Sequence, residues 1–294
     1  MNVVEQPAST NGYVIDAESG AEVARLIEQD RFLNTSMGGP VPERDDLTSM
    51  HTILDLACGP GSWALEMAYC YPRLQVTGVD ASRSMIDFAR IRARTQGLDN
   101  AHFQVMDITQ PLDVGDETFD LVNGRLLVGV LSRKAWLPLL RECVRVLRPG
   151  GILRLTECEL SVTTSPALEE LTGLASQALW RGGYSFSQDG RQLCITPVLG
   201  RLLRQAGCER IEQQPFVIDY SACSNREAHW AMYQNTRVSW LLVAPFLYKM
   251  GVITAERFEK LYRQMCCEML EDDFCGLWYF CTTWGHKSCL RSHT

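Results

Sequence analysis

The chain has 294 residues, 46% of them hydrophobic and 21% charged, and its 35 acidic against 28 basic side chains give a formal net charge of −7. That balance excludes an intrinsically disordered chain, which needs few apolar residues and many uncompensated charges. It also argues against a nucleic-acid binder living on phosphate neutralisation, since the basic residues are scattered and form no block. Met1–Glu5 lacks the basic start and apolar stretch of a secretory leader, and the longest apolar run, Trp240–Tyr248, is interrupted by Pro245. A membrane span needs about 20 such residues, so no span and a cytoplasmic setting are expected. The 12 cysteines contain no Cys-x-x-Cys pair. They read as reduced, mostly buried small hydrophobes, and the five histidines give no support for a metal site.

In chain order, Ala17 to Arg31 has the pattern of a helix, and Met37–Pro42 is a Gly/Pro-rich joint or lid. From Thr52 to Glu159 short β-branched runs alternate with amphipathic stretches. Ile53–Leu56, Leu74–Val79, His102–Val105, Phe119–Val122 and Ile152–Leu155 read as strands. Ser84–Arg94 and Ala135–Leu147 read as helices, and Arg148–Gly151 as the turn that ends the second. The alternation predicts a doubly wound α/β fold with a mostly parallel sheet. Farther on, Pro197–Ala206 reads as a helix, and Arg210–Tyr220 and Leu277–Thr283 as strands. The helical, aromatic residues between those strands, about 221–276, are too many for a loop and suggest an inserted cap. The expected division is a lid segment, 1–50, followed by one domain, 51–294.

The most informative stretch is Ile53-Leu-Asp55-Leu-Ala-Cys-Gly59-Pro-Gly61-Ser-Trp63, a strand running through a Gly-x-Gly turn into a helix. Glycines suit a turn that bends tightly and lets backbone approach a ligand. The next strand ends in Asp80, a carboxylate placed to accept both hydroxyls of a ribose. A dinucleotide would set its pyrophosphate at the helix N-terminus, where Asp55 would repel it. S-adenosylmethionine carries an ammonium and a sulfonium and no phosphate, so Asp55 favours it, as does Ala64 in place of a third glycine.

Asp55-Leu-Ala-Cys-Gly-Pro-Gly61, Gly78-Val-Asp80-Ala-Ser-Arg-Ser-Met85, Val105-Met-Asp107-Ile108, Phe119-Asp-Leu-Val122 and Leu147-Arg-Pro-Gly-Gly-Ile152 resemble the successive motifs of class I S-adenosylmethionine-dependent methyltransferases. The likeness covers 52–159 and is strongest to quinone-ring and natural-product enzymes. It implies a seven-stranded Rossmann-like sheet whose last strand is antiparallel. It also implies that Asp55, Gly59 and Gly61 surround the methionine end, that Asp80 with Ala81 holds the ribose, and that Met85 packs on adenine. Asp107 and Ile108 would bind the adenine edge, and Asn123 would lie beneath the transferable methyl. Trp63 stands where many relatives have a small residue, and either lines the pocket or packs on the sheet. The amino-terminal segment resembles that of a subset acting on terpenoid or prenylated substrates. There a leading helix covers the cofactor and can be exchanged between subunits, allowing a homo-oligomer; Tyr13, Met37 and Gly38 are the matching positions.

Methyl transfer needs an aligned nucleophile, and a general base only when that nucleophile has a proton to lose. Candidate bases are Glu157 and His229, with Glu159 and Glu169 nearby in sequence. Glu170, Trp180, Tyr184, Trp230 and Tyr233 are candidates for the acceptor site, their rings suiting a flat or prenylated molecule. Trp230, Tyr233, Arg237, Trp240, Leu241 and Ala244 share one stripe if their segment is helical. The expectation is a methyltransferase that acts on a hydrophobic small molecule in metabolite biosynthesis or tailoring and releases S-adenosylhomocysteine. Its rivals are C-methylation of a prenyl chain with coupled cyclisation, and a cofactor-binding protein that transfers nothing, such as a cyclase or sensor.

Overall fold

The computed structural model describes residues 13–44 and 46–289. Residues 1–12 of the expected lid segment therefore lie outside the described residues.

The leading helix α1 spans Gly20–Met37, six residues past its expected end, and stops where Gly38 takes a left-handed φ of 89°. Its buried side chains are Glu22, Arg25, Gln29, Leu33, Asn34 and Met37. Four of these six are polar, so the hydrophobic pattern cannot locate the end of the helix.

The central unit follows as β1 (Thr52–Leu56), α2 (Ser62–Cys70), β2 (Gln75–Asp80), α3 (Arg83–Gln96), β3 (Ala101–Val105), β4 (Phe119–Arg125), α4 (Trp136–Val146) and β5 (Leu147–Cys158). Arg148–Gly151 is not a free turn. It lies within β5, where the register with β4 shifts between Phe119 and Leu121. After β5 come β6 (Val162–Thr163), α5 (Pro166–Arg181), α6 (Leu199–Ala206), β7 (Cys208–Asp219), α7 (Arg226–Lys249), α8 (Ala255–Glu268) and β8 (Gly276–Lys287).

Strands β3-β2-β1-β4-β5 are parallel neighbours, and β8 runs antiparallel to β5 and to β7. The described sheet has eight strands rather than seven, because the two-residue β6 extends the line of β5 along β8. Alternation along the strands divides the core. Ile53, Leu121 and Ile152 pack with α2 and α3, and Leu54, Val122 and Leu153 pack with α4 and α6. A third apolar cluster joins α5, α7 and α8 through Leu171, Tyr233, Trp240, Leu247, Phe258 and Met265. The strand order reverses direction between β1 and β4, which opens a crevice beyond their carboxyl ends.

Two composition-level expectations change. Only Cys143, Cys158 and Cys208 are buried, while Cys70, Cys223, Cys267, Cys275 and Cys289 are exposed; all twelve are free thiols. The α7 stripe also divides. Tyr233, Trp240 and Ala244 are buried, whereas Trp230 and Leu241 are more than half exposed. Among the described residues no helix is long and apolar enough to cross a membrane, and no cluster of three or more His, Cys, Asp or Glu could hold a metal.

Candidate cofactor site

The crevice is floored by the turns that follow the parallel strands. Asp55–Pro60 runs from the end of β1 into the glycine turn, Asp80 and Ala81 close β2, Asp107 and Ile108 follow β3, and Arg125 ends β4 with Leu126 next to it. Met85 from α3 and Trp63 from α2 complete its walls, and α1 crosses above with Arg25, Leu26, Gln29, Asp30 and Leu33.

The glycine turn is built from its backbone outward. Gly59 takes φ 52° and donates its N–H to Asp80 Oδ2 at 2.9 Å. The other Asp80 oxygen accepts the Ser82 N–H at 2.8 Å, so one carboxylate joins the turns after β1 and β2. Burial raises its pKa, partly offset by those two N–H groups, and Glu18 pushes the same way as burial. Glu18, just ahead of α1, accepts the Ser82 hydroxyl at 2.7 Å and brings the amino-terminal segment onto this end of the crevice.

Gly61 plays a different part from the one expected, because it does not line the crevice. Its φ is 76°, and a Cβ there would lie 2.7 Å from the Phe103 ring and 2.9 Å from Ala89 Cβ. The residue lets α2 sit close against β3 and α3.

Asp55 is buried, and its Oδ1 accepts the Asn123 amide at 2.7 Å. Burial pushes its pKa up to about 7; Asn123 and Arg154 oppose the rise and Asp80 adds to it. Asn123 does not reach the crevice. Its Oδ1 accepts from Arg154 Nη1 at 2.7 Å, so it lies inside the sheet behind Asp55. Asp107 Oδ1 is bound by the Thr109 N–H and hydroxyl, at 2.8 and 2.7 Å. Trp63 meets both alternatives at once, since it is buried, borders the crevice and donates its indole N–H to Pro40 O at 2.9 Å.

The roof is a polar network. Glu22 accepts Arg25 Nε and Nη2, each at 2.7 Å, and the Tyr13 hydroxyl at 2.7 Å. Arg25 Nη1 reaches Gln29 and, at 3.0 Å, Asn235 of α7. Asp30 pairs with Arg125, whose Nη1 also donates to Asn34 Oδ1 at 2.8 Å. Tyr13 borders the crevice, whereas Met37 and Gly38 do not. Met37 packs with Leu33, Cys158, Ile218 and Phe280, and Gly38 caps α1. Arg25, Gln29, Asp30 and Arg125 were missed. The two-residue spacing from Asn123 to Arg125 on β4 was the available signal for Arg125.

The two candidate bases lie elsewhere. Glu157 is fully buried and accepts the Leu127 and Val128 N–H groups at 2.6 and 3.3 Å, capping a 3-10 turn at Leu127–Gly129. Burial pushes its pKa up to about 8 against those bonds. Glu159 is held by Cys194 and Thr196. His229 shares a 2.7 Å hydrogen bond with Met269 O and rests on Phe274 inside the cap. None of the three borders the crevice.

The acceptor candidates are also dispersed. Glu170 pairs with Arg257 on the surface, Trp180 is exposed beside Gly190, and Tyr184 sets its ring edge-on to Phe246. Tyr233 is buried with Arg237 over its ring. Trp230 borders a groove of about 620 Å³ between α1 and α7 that shares Arg25 and Gln29 with the crevice.

Fold and crevice together resemble those of class I S-adenosylmethionine-dependent methyltransferase domains. The family described as "Methyltransferase domain" matches residues 53–151. A ubiquinone/menaquinone biosynthesis C-methyltransferase of Desulfotalea psychrophila is 42% identical over 116 residues, covering 39% of this chain and 42% of that protein. A secondary metabolism regulator of Cochliobolus heterostrophus is 28% identical over 193 residues, covering 63% and 57%. The chain spans about half the length of the curated relatives it matches. A Haemonchus contortus phosphoethanolamine N-methyltransferase 2, solved with S-adenosyl-L-methionine, shares the fold at TM-score 0.55 and 17% identity, over 92% of this chain and 57% of that one.

Proposed function

We propose that this protein is a cytoplasmic enzyme transferring a methyl group from S-adenosylmethionine to a hydrophobic small molecule, in the biosynthesis or tailoring of a metabolite. The observation that carries the reading is Asp55, a buried carboxylate at the mouth of a glycine turn where pyrophosphate would be repelled and an ammonium attracted. Asp80 offers its remaining acceptor capacity to a ribose, and Met85 and Ile108 offer apolar surface to a purine, with Asp107 at its edge. When bound, the cofactor supplies an electrophilic methyl on a sulfonium centre. The chain's contribution is to hold an acceptor in line with that methyl, worth roughly 7–11 kcal/mol of barrier, and to keep water out by means of α1. Within the segment 1–50, the described residues 13–44 serve as the lid of the domain at 51–294.

Because Glu157 and His229 are committed elsewhere, the reading assigns no general base. It favours an acceptor whose nucleophile is a carbon or an already ionised oxygen. The acceptor approaches through the α1/α7 groove, where Phe32, Trp230 and Val238 supply apolar surface and Arg25 and Gln29 form the partition. Incubation with isotopically labelled cofactor and a panel of quinone, phenol and polyketide acceptors tests the activity. Label should move to at least one acceptor; tight cofactor binding with no transfer to any of them favours the non-transferase rival. Asp80→Ala should abolish S-adenosylhomocysteine binding in a cooperatively folding protein, and near-normal affinity would dismiss the ribose assignment. Phe32→Ala and Trp230→Ala should change acceptor preference without changing cofactor affinity.

A further inference from the structure

One row of side chains crosses the sheet on the face that carries α2 and α3, where the neighbouring row, Ile53, Leu121 and Ile152, is apolar. It consists of Asp55 on β1, Asn123 on β4 and Arg154 on β5, which are direct register partners: Asp55 opposite Asn123, and Asn123 opposite Arg154. All three are 4% exposed or less. Arg154 donates Nη1 to Asn123 Oδ1 at 2.7 Å, and Asn123 donates Nδ2 to Asp55 Oδ1 at 2.7 Å. The guanidinium is held from above by Glu43, which accepts from both Nε and Nη2 and whose side chain is 1% exposed. Glu43 lies in the segment linking α1 to β1.

The direction of each bond matters. An arginine can only donate, so it fixes the Asn123 amide with oxygen inward and nitrogen toward Asp55. Asp55 then meets a donor and, one residue behind, a positive charge. An isolated carboxylate in that place would be driven to its neutral form.

We propose that Arg154, pinned by Glu43, is a positioning residue that orients Asn123 and keeps Asp55 the anion required by the cofactor's ammonium group. The inference rests on the cofactor reading above. It ties the segment following the lid helix to the charge state of the site. The charged or titratable groups around Asp55 are Asp80 on β2, Cys58 in the glycine turn, Asp107 after β3, Arg125 at the end of β4, Arg154 on β5, Tyr13 ahead of α1, and Arg25 and Asp30 on α1. Of these, only Arg154 reaches Asp55 through a single hydrogen-bonded side chain.

The test measures S-adenosylhomocysteine affinity by calorimetry between pH 5.5 and 8 for the full chain. Wild-type affinity should fall on the acid side as Asp55 takes up a proton. In Glu43→Gln/Arg154→Met, which removes both charges together, that fall should move to higher pH by about one unit, a roughly tenfold loss on the acid limb. In Glu43→Gln alone, Arg154 stays charged without its counter-ion, and the fall should move to lower pH. Opposite displacements in the two variants support the proposal. An equal loss of affinity at every pH, or displacement in the same direction, overturns it and leaves Arg154 a packing element. Should the double variant fail to fold, the displacement in Glu43→Gln decides alone. A wild-type chain that binds no S-adenosylhomocysteine at any pH would instead refute the cofactor reading.

Discussion

Replacing Gly61 by alanine separates a packing role from a ligand-binding one. The new methyl would sit 2.7 Å from Phe103 Cε1 and 2.9 Å from Ala89 Cβ, at a φ of 76°. A left-handed conformation costs an L residue about 1–2 kcal/mol, and forcing a methyl into a packed interior typically costs about 1–3 kcal/mol more. The sum is roughly 2–5 kcal/mol. For a domain of 150–250 residues each kcal/mol lowers Tm by about 2–4 °C, so a mid-range loss of about 3 kcal/mol corresponds to roughly 6–12 °C, read by circular dichroism. S-adenosylhomocysteine affinity of the folded variant should stay near wild type, because Gly61 is not part of the crevice lining. Phe103→Leu removes the nearest ring atoms. In the double variant, part of the Gly61→Ala loss should therefore be recovered, giving a coupling of at least about 0.5 kcal/mol. A Tm within about 2 °C of wild type, or strict additivity with Phe103→Leu, would refute the reasoning.

Glu157→Gln should alter the pH dependence of stability. The native carboxyl has its pKa raised to about 8, so wild-type stability drawn from this group is full below the unfolded value of about 4.3 and lost as pH climbs toward 8. The advantage of wild type over the variant in urea unfolding should therefore shrink from pH 5 to pH 8; a constant gap would dismiss the buried-acid account. Glu22→Ala leaves Arg25 a buried charge without its carboxylate, a change that typically costs about 3–5 kcal/mol. Hydrogen exchange should quicken in α1 while β1–β5 keep their protection, and global unfolding without that local phase would show α1 to be integral to the core. Glu170→Ala removes an exposed ion pair worth less than about 1 kcal/mol. It should leave both Tm and methyl transfer unchanged, and a large loss of transfer would restore Glu170 to the acceptor site.

The central sheet was legible because β1, β4 and β5 carry apolar residues on both faces (Ile53 with Leu54, Leu121 with Val122, Ile152 with Leu153), and Gly59-Pro60 and Asp107 break the chain after β1 and β3. The glycine turn and Asp80 were legible because backbone geometry restricts those positions to few residue types. The length of α1 and the roof over the crevice were not. Their buried residues are Glu22, Arg25, Gln29 and Asn34, which a search for apolar periodicity passes over. Glu157 misled for the converse reason. Its position at the carboxyl end of β5 is where a catalytic group would stand, but its acceptor capacity is spent on the Leu127 and Val128 N–H groups, whose nearness depends on the turn after β4. Likewise, alternation along one helix cannot tell which of Trp230 and Tyr233 faces α1 and which faces α8.

The two halves of α1 are held by unlike forces. Its carboxyl half ends in Leu33 and Met37, seated among Cys158, Ile218 and Phe280, whereas its amino half is fastened by hydrogen bonds and ion pairs. Lifting the amino half trades those bonds for bonds to water, at a modest net cost per bond, and bares little apolar surface. If α1 serves as the proposed lid, movement about its seated end would carry almost no heat-capacity change and would offer no adhesive face to other proteins.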